Sequence, residues 1–348
     1  MKITTYCLFI LSLLIIPQYC HGQSRNSYCV GFYNFENLFD TINNEGVRDG
    51  EFTPEGSKEW NVERYENKLA KLSVVISEIG ADEGFRKGPD VLGICEVENR
   101  GVLEDLIKQK NIRRSKYQIV HYDSPDKRGI DVALLFRAES FELSSSKPYT
   151  LYLTDPVTGR RIYTRDQLLV TGDLNGQKVH ILVNHWPSRW GGHLQSQPLR
   201  LGAAQLSRHI VDSLVKTDSL AQVIVMGDLN DDPTDISVEQ YLYAAVDSSD
   251  LKKKQLYNAS AEQFLNSEGS LKYRGAWNMF DQIILTQPIL NKENTPLTLK
   301  SFSVFSRPYL FQEDGPFEGY PLRTYGGKNY LNGYSDHLPV YIILETDK

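Results

Sequence analysis

Three short apolar runs in this chain stop at residues able to hold a cation or move a proton, and that pattern constrains the fold more than any other feature. VLGIC runs into Glu96, VHILV into Asn184 and His185, and VIVMG into Asp228, Leu229 and Asn230. Near the end, YSDHLPV sets Asp336 beside His337 just ahead of a further apolar run. A continuous apolar run of this length reads as a strand buried on both faces. Such a strand, ending in a carboxylate, amide or imidazole, delivers that group to the rim of a sheet. Several side by side build one polar pocket above a dry core, a geometry able to hold a hard cation and a phosphate.

The remaining elements fall between these runs. Residues 28 to 39 read as a first strand ending near Asn34 and Glu36. Tyr65, Leu69, Leu72, Ile76 and Ile79 recur at steps of four and three, one face of an amphipathic helix that Gly80 ends. Asp90 to Glu96 is the next strand, Val102 to Ile107 a short helix, and Asp131 to Phe136 a further strand. Gln167 to Val170 and Val179 to Val183 read as a hairpin turning through Gly172 to Gly176. Leu201, Ala204, Ile210 and Leu214 mark a helix over 199 to 215, and Asp281 to Leu285 and Leu338 to Ile343 are late strands. The stretch 286 to 332 carries no periodicity. Strands outnumber helices, and helices fall on connections, which predicts an α/β (α+β) sandwich with helices on the outer faces of sheets. No linker or repeat divides the 348 residues, so residues 23 to 348 are expected to form one domain.

Residues 1 to 22 read as an export signal: Lys2, the apolar core CLFILSLLII, and Cys20-His21-Gly22 before a cut at Gln23. The apolar run is too short for a membrane anchor, and the bulky Tyr19 argues against lipidation of Cys20. The expectation is therefore an exported chain, periplasmic or extracellular, without an anchor. Cleavage leaves Cys29 and Cys95, which either pair in an oxidising compartment or serve as two small buried hydrophobes, the reading preferred here. The formal net charge of -6 gives no support for broad nucleic-acid affinity. It leaves open a nuclease whose metal and local arginines hold one phosphate.

Taken singly, each polar group has two readings. Glu96 is either a ligand or the first solvated residue after a strand. Asp228 and Asn230 in GDLNDDP either point two oxygen-bearing side chains to one side, with Gly227 allowing close approach, or make an Asx turn before Pro233. Asp336 can fix the tautomer of a neighbouring imidazole. Candidate substrate contacts are Asn184, Arg128, Arg165 and Arg189, since guanidinium groups bind phosphate bidentately. Arg200, Trp186 and Trp190 lie in or beside the same PSRWGGHLQSQPLR segment, where the indoles either stack on a base or close over the core.

The ordered set Asn34 and Glu36, Glu96, Asn184 and His185, Asp228 and Asn230, Asp281, Asp336 and His337 resembles the endonuclease/exonuclease/phosphatase superfamily. DNase I, exonuclease III-type nucleases, bacterial sphingomyelinases and inositol polyphosphate 5-phosphatases belong to it. The resemblance runs from about Tyr28 to about Ile343, with GDLN and SDH its most specific parts. It implies a four-layer αββα sandwich of two packed mixed sheets. It implies Glu96 as the principal Mg²⁺ ligand, Asn34 and Glu36 as residues completing or supporting the metal site, and Asp336 at the metal or behind it. It further implies Asp228 on the attacking water, Asn230 on the phosphate, His337 at the scissile phosphate with Asp281 buttressing a histidine, and His185 as second histidine. Exonuclease III-type enzymes lack a histidine at that strand end, so His185 argues against an abasic-site nuclease.

The expectation is an Mg²⁺-dependent phosphodiesterase, with Mn²⁺ or Ca²⁺ as alternative ions, acting as a monomer on a phosphodiester, foremost a nucleic acid. Oxygen donors suit such ions better than Zn²⁺. The alternatives are a phospholipid phosphodiesterase of sphingomyelinase type, for which SVFSRPYLF would be the exposed apolar hairpin, a phosphatase on soluble esters, and a non-catalytic binding module.

Overall fold

The computed structural model describes residues 26–155, 158–174, 176–293 and 295–346. The export signal expected over residues 1 to 22 lies outside them. Thirteen strands form two sheets: β1 Asn26–Leu38, β2 Val91–Val97, β3 Tyr117–His121, β4 Asp131–Arg137, β5 Phe141–Tyr149, β6 Gln167–Leu174, β7 Gln177–His185, β8 Gln222–Asp228, β9 Ala244–Ala245, β10 Leu256–Asn258, β11 Asp281–Leu285, β12 Leu297–Val304 and β13 Val340–Thr346. The first sheet runs β12-β13-β1-β2-β4-β3 and the second β9-β10-β11-β8-β7-β6-β5. Each is mixed: β1 pairs β2, and β8 pairs β7, in parallel, while β1–β13, β2–β4, β8–β11 and β6–β7 are antiparallel.

Alternation along each strand sorts the core into three slabs. On β1, Val30 and Phe32 face the second sheet, where they meet residues such as Val183, Ile224 and Met226. Cys29 and Tyr33 face outward under helix α1 (Val62–Glu78) and helix α2 (Arg100–Ile107). On β8, Ile224 and Met226 point inward, and Val223 and Val225 pack under helix α3 (His193–Thr217) with Ala203, Ala204, Ile210 and Val211. The result is the expected four-layer αββα sandwich. Cys29 and Cys95 are both free and buried, on opposite faces of the first sheet, so they act as small hydrophobes.

Three sequence expectations shift. The β6–β7 ladder continues to Leu174 opposite Gln177, so Gly172 and Asp173 pair within strands and the turn lies beyond them. Helix α3 begins at His193, with Pro198 inside it, because Arg200 ties that early turn to Ser196 Oγ and the His193 carbonyl. SVFSRPYLF is no exposed hairpin: Phe305 and Leu310 are buried against the α1 side of the first sheet. Among the described residues no helix is long and apolar enough to cross a membrane.

One glycine fixes how closely two site-bearing strands approach. Gly227 has φ +154°, and a Cβ there would stand 2.3 Å from the Asn184 carbonyl oxygen on β7. Gly227→Ala is expected to cost at least about 2 kcal/mol, because backbone and not a pliable side chain must yield. A urea midpoint matching that of the parent protein would show that the strands relax freely.

Candidate active site

The two sheets present their polar strand ends on one rim. In the second sheet, Asp228 at the end of β8 is register partner to both Asp281 on β11 and His185 on β7. In the first, Asn34 on β1 is paired with Cys95, next to Glu96 on β2. Both pairings of β2 slip at this point, with shifts between Asn34 and Leu38 and between Cys95 and Val97. Such bulges re-aim side chains. Glu36 (φ 49°), Asn37 (φ 57°), Glu96 (φ 60°) and Asn230 (φ 52°) all adopt the left-handed conformation, a clustering of backbone strain that functional sites characteristically hold.

Asp228 is the centre. Its Oδ2 accepts from Asn34 Nδ2 at 3.1 Å and lies 3.6 Å from His185 Nε2 and 3.9 Å from His337 Nε2. Its Oδ1 accepts from the Asn230 amide at 3.0 Å. Burial pushes the Asp228 carboxyl up to about 7; the nearby His337 opposes this, while Asp281 and Glu96 add to it. His337 Nδ1 sits 2.7 Å from Asp281 Oδ2, which also accepts from Ser270 Oγ at 2.5 Å. Burial works against charging His337, yet Asp281, Asp228 and Asp336 together hold it well above the ordinary imidazole range. His185 goes the other way: burial, then the Arg165 and Arg128 charges, hold it well below. The two imidazoles thus face one carboxylate oxygen in opposite charge states at neutral pH.

The structure brings together Asn34, Glu96, His185, Asp228, Asn230, Asp281, Asp336 and His337. Glu96 Oε2 accepts from the Asn37 amide at 2.9 Å, and Oε1 is 3.7 Å from His185 Nε2 and 3.9 Å from Arg128. Asp336 Oδ1 is 3.9 Å from His337 Nε2, and its Oδ2 accepts from Arg323 at 2.7 Å. Glu36 stands one layer back. Its carboxylate accepts from the Thr324 amide at 2.6 Å and lies 3.9 Å from the buried Lys68 and 3.4 Å from Arg323.

Three expected substrate contacts are committed elsewhere. Asn184 is fully buried; its amide donates to the Leu182 and Met226 carbonyls and accepts from Trp186 Nε1 and Ser207 Oγ, which uses it up inside the sheet. Arg165 is a buried strut, donating to the His185 and Trp186 carbonyls and to Asp126. Arg189 is neutralised by Asp231, Asp232 and Asp235, and also donates to the Asn230 carbonyl. Arg200, fully buried, shares Asp231 Oδ1 at 2.7 Å. Of the expected arginines only Arg128 stands at the mouth, its side chain 45% exposed. Trp186 closes the core, whereas Trp190 is 88% exposed. Arg323 escaped sequence reading because it lies in the aperiodic stretch and gains meaning only through Glu36 and Asp336.

The rim carries oxygen donors of the kind a hard divalent cation takes: the Asn34 amide oxygen, with a lone pair beyond its bond to the Glu36 amide, the Glu96 carboxylate 3.7 Å from His185, and the Asp336 carboxylate 3.9 Å from His337. Cys95, His185 and Asp228 also approach one another, but burial and Asp228 hold the thiol protonated, which disfavours a thiolate-bound soft ion. His193, Asp231 and Asp235 form a second acidic group, where Arg189 and Arg200 already supply the positive charge.

The sequence profile of the endonuclease/exonuclease/phosphatase family matches residues 29–346. No curated protein sequence matches significantly. Among solved structures the chain is similar to a humanized D. rerio TDP2 carrying 14 mutations (17% identity, 92% of this chain and 99% of that one, TM-score 0.54). It is also similar to an endonuclease/exonuclease/phosphatase family protein from Bacteroides thetaiotaomicron (15%, 93% and 99%, 0.54) and to the catalytic domain of human Nocturnin with bound sulfate (17%, 92% and 97%, 0.52). D. rerio TDP2 has also been solved with a single-strand DNA product (16%, 92% and 99%, 0.53). At these identities the likeness is one of fold.

Proposed function

The chain belongs to the endonuclease/exonuclease/phosphatase family, whose members are metal-dependent phosphoric ester hydrolases, and on that premise we propose that it is an exported, Mg²⁺-dependent phosphodiesterase acting on nucleic acid or its fragments. The observation that carries the reading is the convergence of His185 and His337 on Asp228 Oδ2, with Glu96 3.7 Å from the first imidazole and Asp336 3.9 Å from the second. Mn²⁺ and Ca²⁺ are alternative ions for the same donors. A cation held by Glu96 and Asp336 would supply charge neutralisation on the phosphate and make a water more acidic. Asp228 orients the attacking water and takes up its proton, assisted by the neutral His185. His337, kept cationic by Asp281, faces the phosphate and donates toward the leaving oxygen. Asn230 and Arg128 hold the non-bridging oxygens. The buried core position of Phe305 and Leu310 weighs against the lipid alternative, and the DNA product bound by a protein of the same fold favours the nucleic acid.

The test is hydrolysis of DNA, RNA, sphingomyelin, an inositol polyphosphate and a nitrophenyl diester, with Mg²⁺ and with EDTA. EDTA-sensitive cleavage of DNA or RNA is the expected result; turnover confined to the lipid or the inositol ester overturns the substrate. The pH profile checks the roles. kcat/KM is expected to rise as Asp228 loses its proton and to fall on the alkaline side as His337 loses its own. Asp281→Asn removes the charge that keeps His337 protonated, so the alkaline limb should move to lower pH. An unmoved limb would take His337 out of the acid role.

A further inference from the structure

A cavity of about 700 Å³ opens beside the site, sharing Arg323 and Asp336 with it. That volume lies within the range of small-molecule sites. One wall is a hairpin, Leu271–Tyr273 paired with Ala276–Asn278, whose turn residues Arg274 (φ 49°) and Gly275 (φ 86°) both adopt positive φ. The hairpin is bolted to the catalytic histidine: Leu271 bridges His337, and the Leu338 amide donates to the Ser270 carbonyl at 2.7 Å. The opposite wall carries Phe317 and Tyr320, edge to face at 5.4 Å. Tyr273 and Phe317 leave 60% and 54% of their surface exposed, which gives a planar ligand room to stack beside the Arg274 guanidinium that lies 5.3 Å from the Tyr273 centroid.

The charges are equally one-sided. Lys272, Arg274 and Arg323 line the cavity, and Asp336 is the one acidic residue among its walls. Lys272 is held between the Tyr320 and Trp277 rings, 5.0 and 5.4 Å from their centroids, so its charge is fixed at the cavity and not free to swing away. Exposed aromatic rings together with cations match a ligand that is planar and anionic at once. An acyl chain would make no use of the cations, and a polyphosphorylated polyol none of the rings.

We propose that this cavity is a nucleotide subsite. It would seat the base next to the scissile phosphate against Phe317 and Tyr273, with Lys272 and Arg274 reading the phosphate, so that the enzyme engages an unpaired terminal nucleotide or a short fragment rather than continuous duplex. The proposal rests on the nucleic-acid reading above and adds the side on which the base lies and the form of the substrate. Stacking of one base on one ring is worth about a tenfold change in affinity or more.

The test is calorimetric titration of the full chain, in Mg²⁺, with adenosine 5′-monophosphate and with ribose 5-phosphate, for the parent and for Phe317→Ala and Tyr273→Ala. The parent is expected to bind the nucleotide at least about tenfold more tightly than the sugar phosphate. Each variant is expected to lose that preference through weaker nucleotide binding while its ribose 5-phosphate affinity stays put. Variants that keep the full preference overturn the subsite and leave the nuclease reading standing. A parent with no preference overturns the subsite as well. If the same protein cleaves only lipid or inositol ester in the substrate panel, the nuclease reading falls with it.

Discussion

Replacing Asp228 with asparagine is expected to lower kcat/KM about 10²- to 10⁴-fold while leaving the fold in place, the range in which a positioned general base contributes. The geometry makes this side chain the meeting point of the site. One oxygen faces Asn34 and both imidazoles, and the other receives the Asn230 amide. Asparagine preserves the shape but cannot take a proton. The stability of the metal-free protein provides the second readout. Because burial raises the Asp228 pKa to about 7, the folded state favours its protonated form. The stability this group contributes is full below the ordinary carboxylate range and is lost as pH rises toward 7. The asparagine variant lacks that loss, so its melting temperature relative to the parent should improve between pH 5 and pH 8. A variant with near-parental turnover removes Asp228 from the mechanism, and a difference in melting temperature that does not change with pH removes the strained carboxyl.

How much of this was legible in the sequence depends on where each residue's partners lie. Glu96, His185 and Asp228 end apolar runs, and a buried strand has nowhere to put a polar group except its end, so local pattern sufficed. The helix through Tyr65 and Ile76 was legible for the same reason: periodicity reports which face is covered. Local pattern cannot say whether a polar side chain at that rim faces solvent or its own fold. Asn184 and His185 are neighbours on β7, so they point to opposite faces. The histidine meets Asp228, and the amide is consumed by Ser207, Trp186 and two carbonyls. Arg165 and Arg189 looked like phosphate ligands because arginine commonly is one. Their carboxylate and carbonyl partners, among them Asp126 and Asp235, are visible only after folding. Arg323 was missed for the converse reason. It belongs to the irregular region between the late strands, and Glu36 and Asp336, the groups that hold it, are distant in sequence or turned toward it by tertiary structure.

The same reasoning predicts what a single charge at the proposed cation position is worth. In Glu96→Gln the side chain keeps its length and one carbonyl oxygen, so the Asn37 amide can still be satisfied. What disappears is the negative charge that lies 3.7 Å from His185 and acts on Asp228. A hard cation is held chiefly by such charge, and divalent affinity is expected to fall at least a hundredfold, with turnover falling in step at limiting Mg²⁺. Two controls separate this from a general weakening of the site. First, the loss in turnover should be partly recovered at high Mg²⁺, which no loss of proton transfer would allow. Second, Asp228→Asn should retain cation binding far better than Glu96→Gln, since Asp228 is occupied by Asn34, Asn230 and the two histidines. Calorimetric titration of the three proteins with Mg²⁺ decides between these assignments. Equal affinities for the parent and Glu96→Gln would move the cation away from β2. A greater loss in the Asp228 variant would make Asp228 a ligand rather than the residue that handles the water.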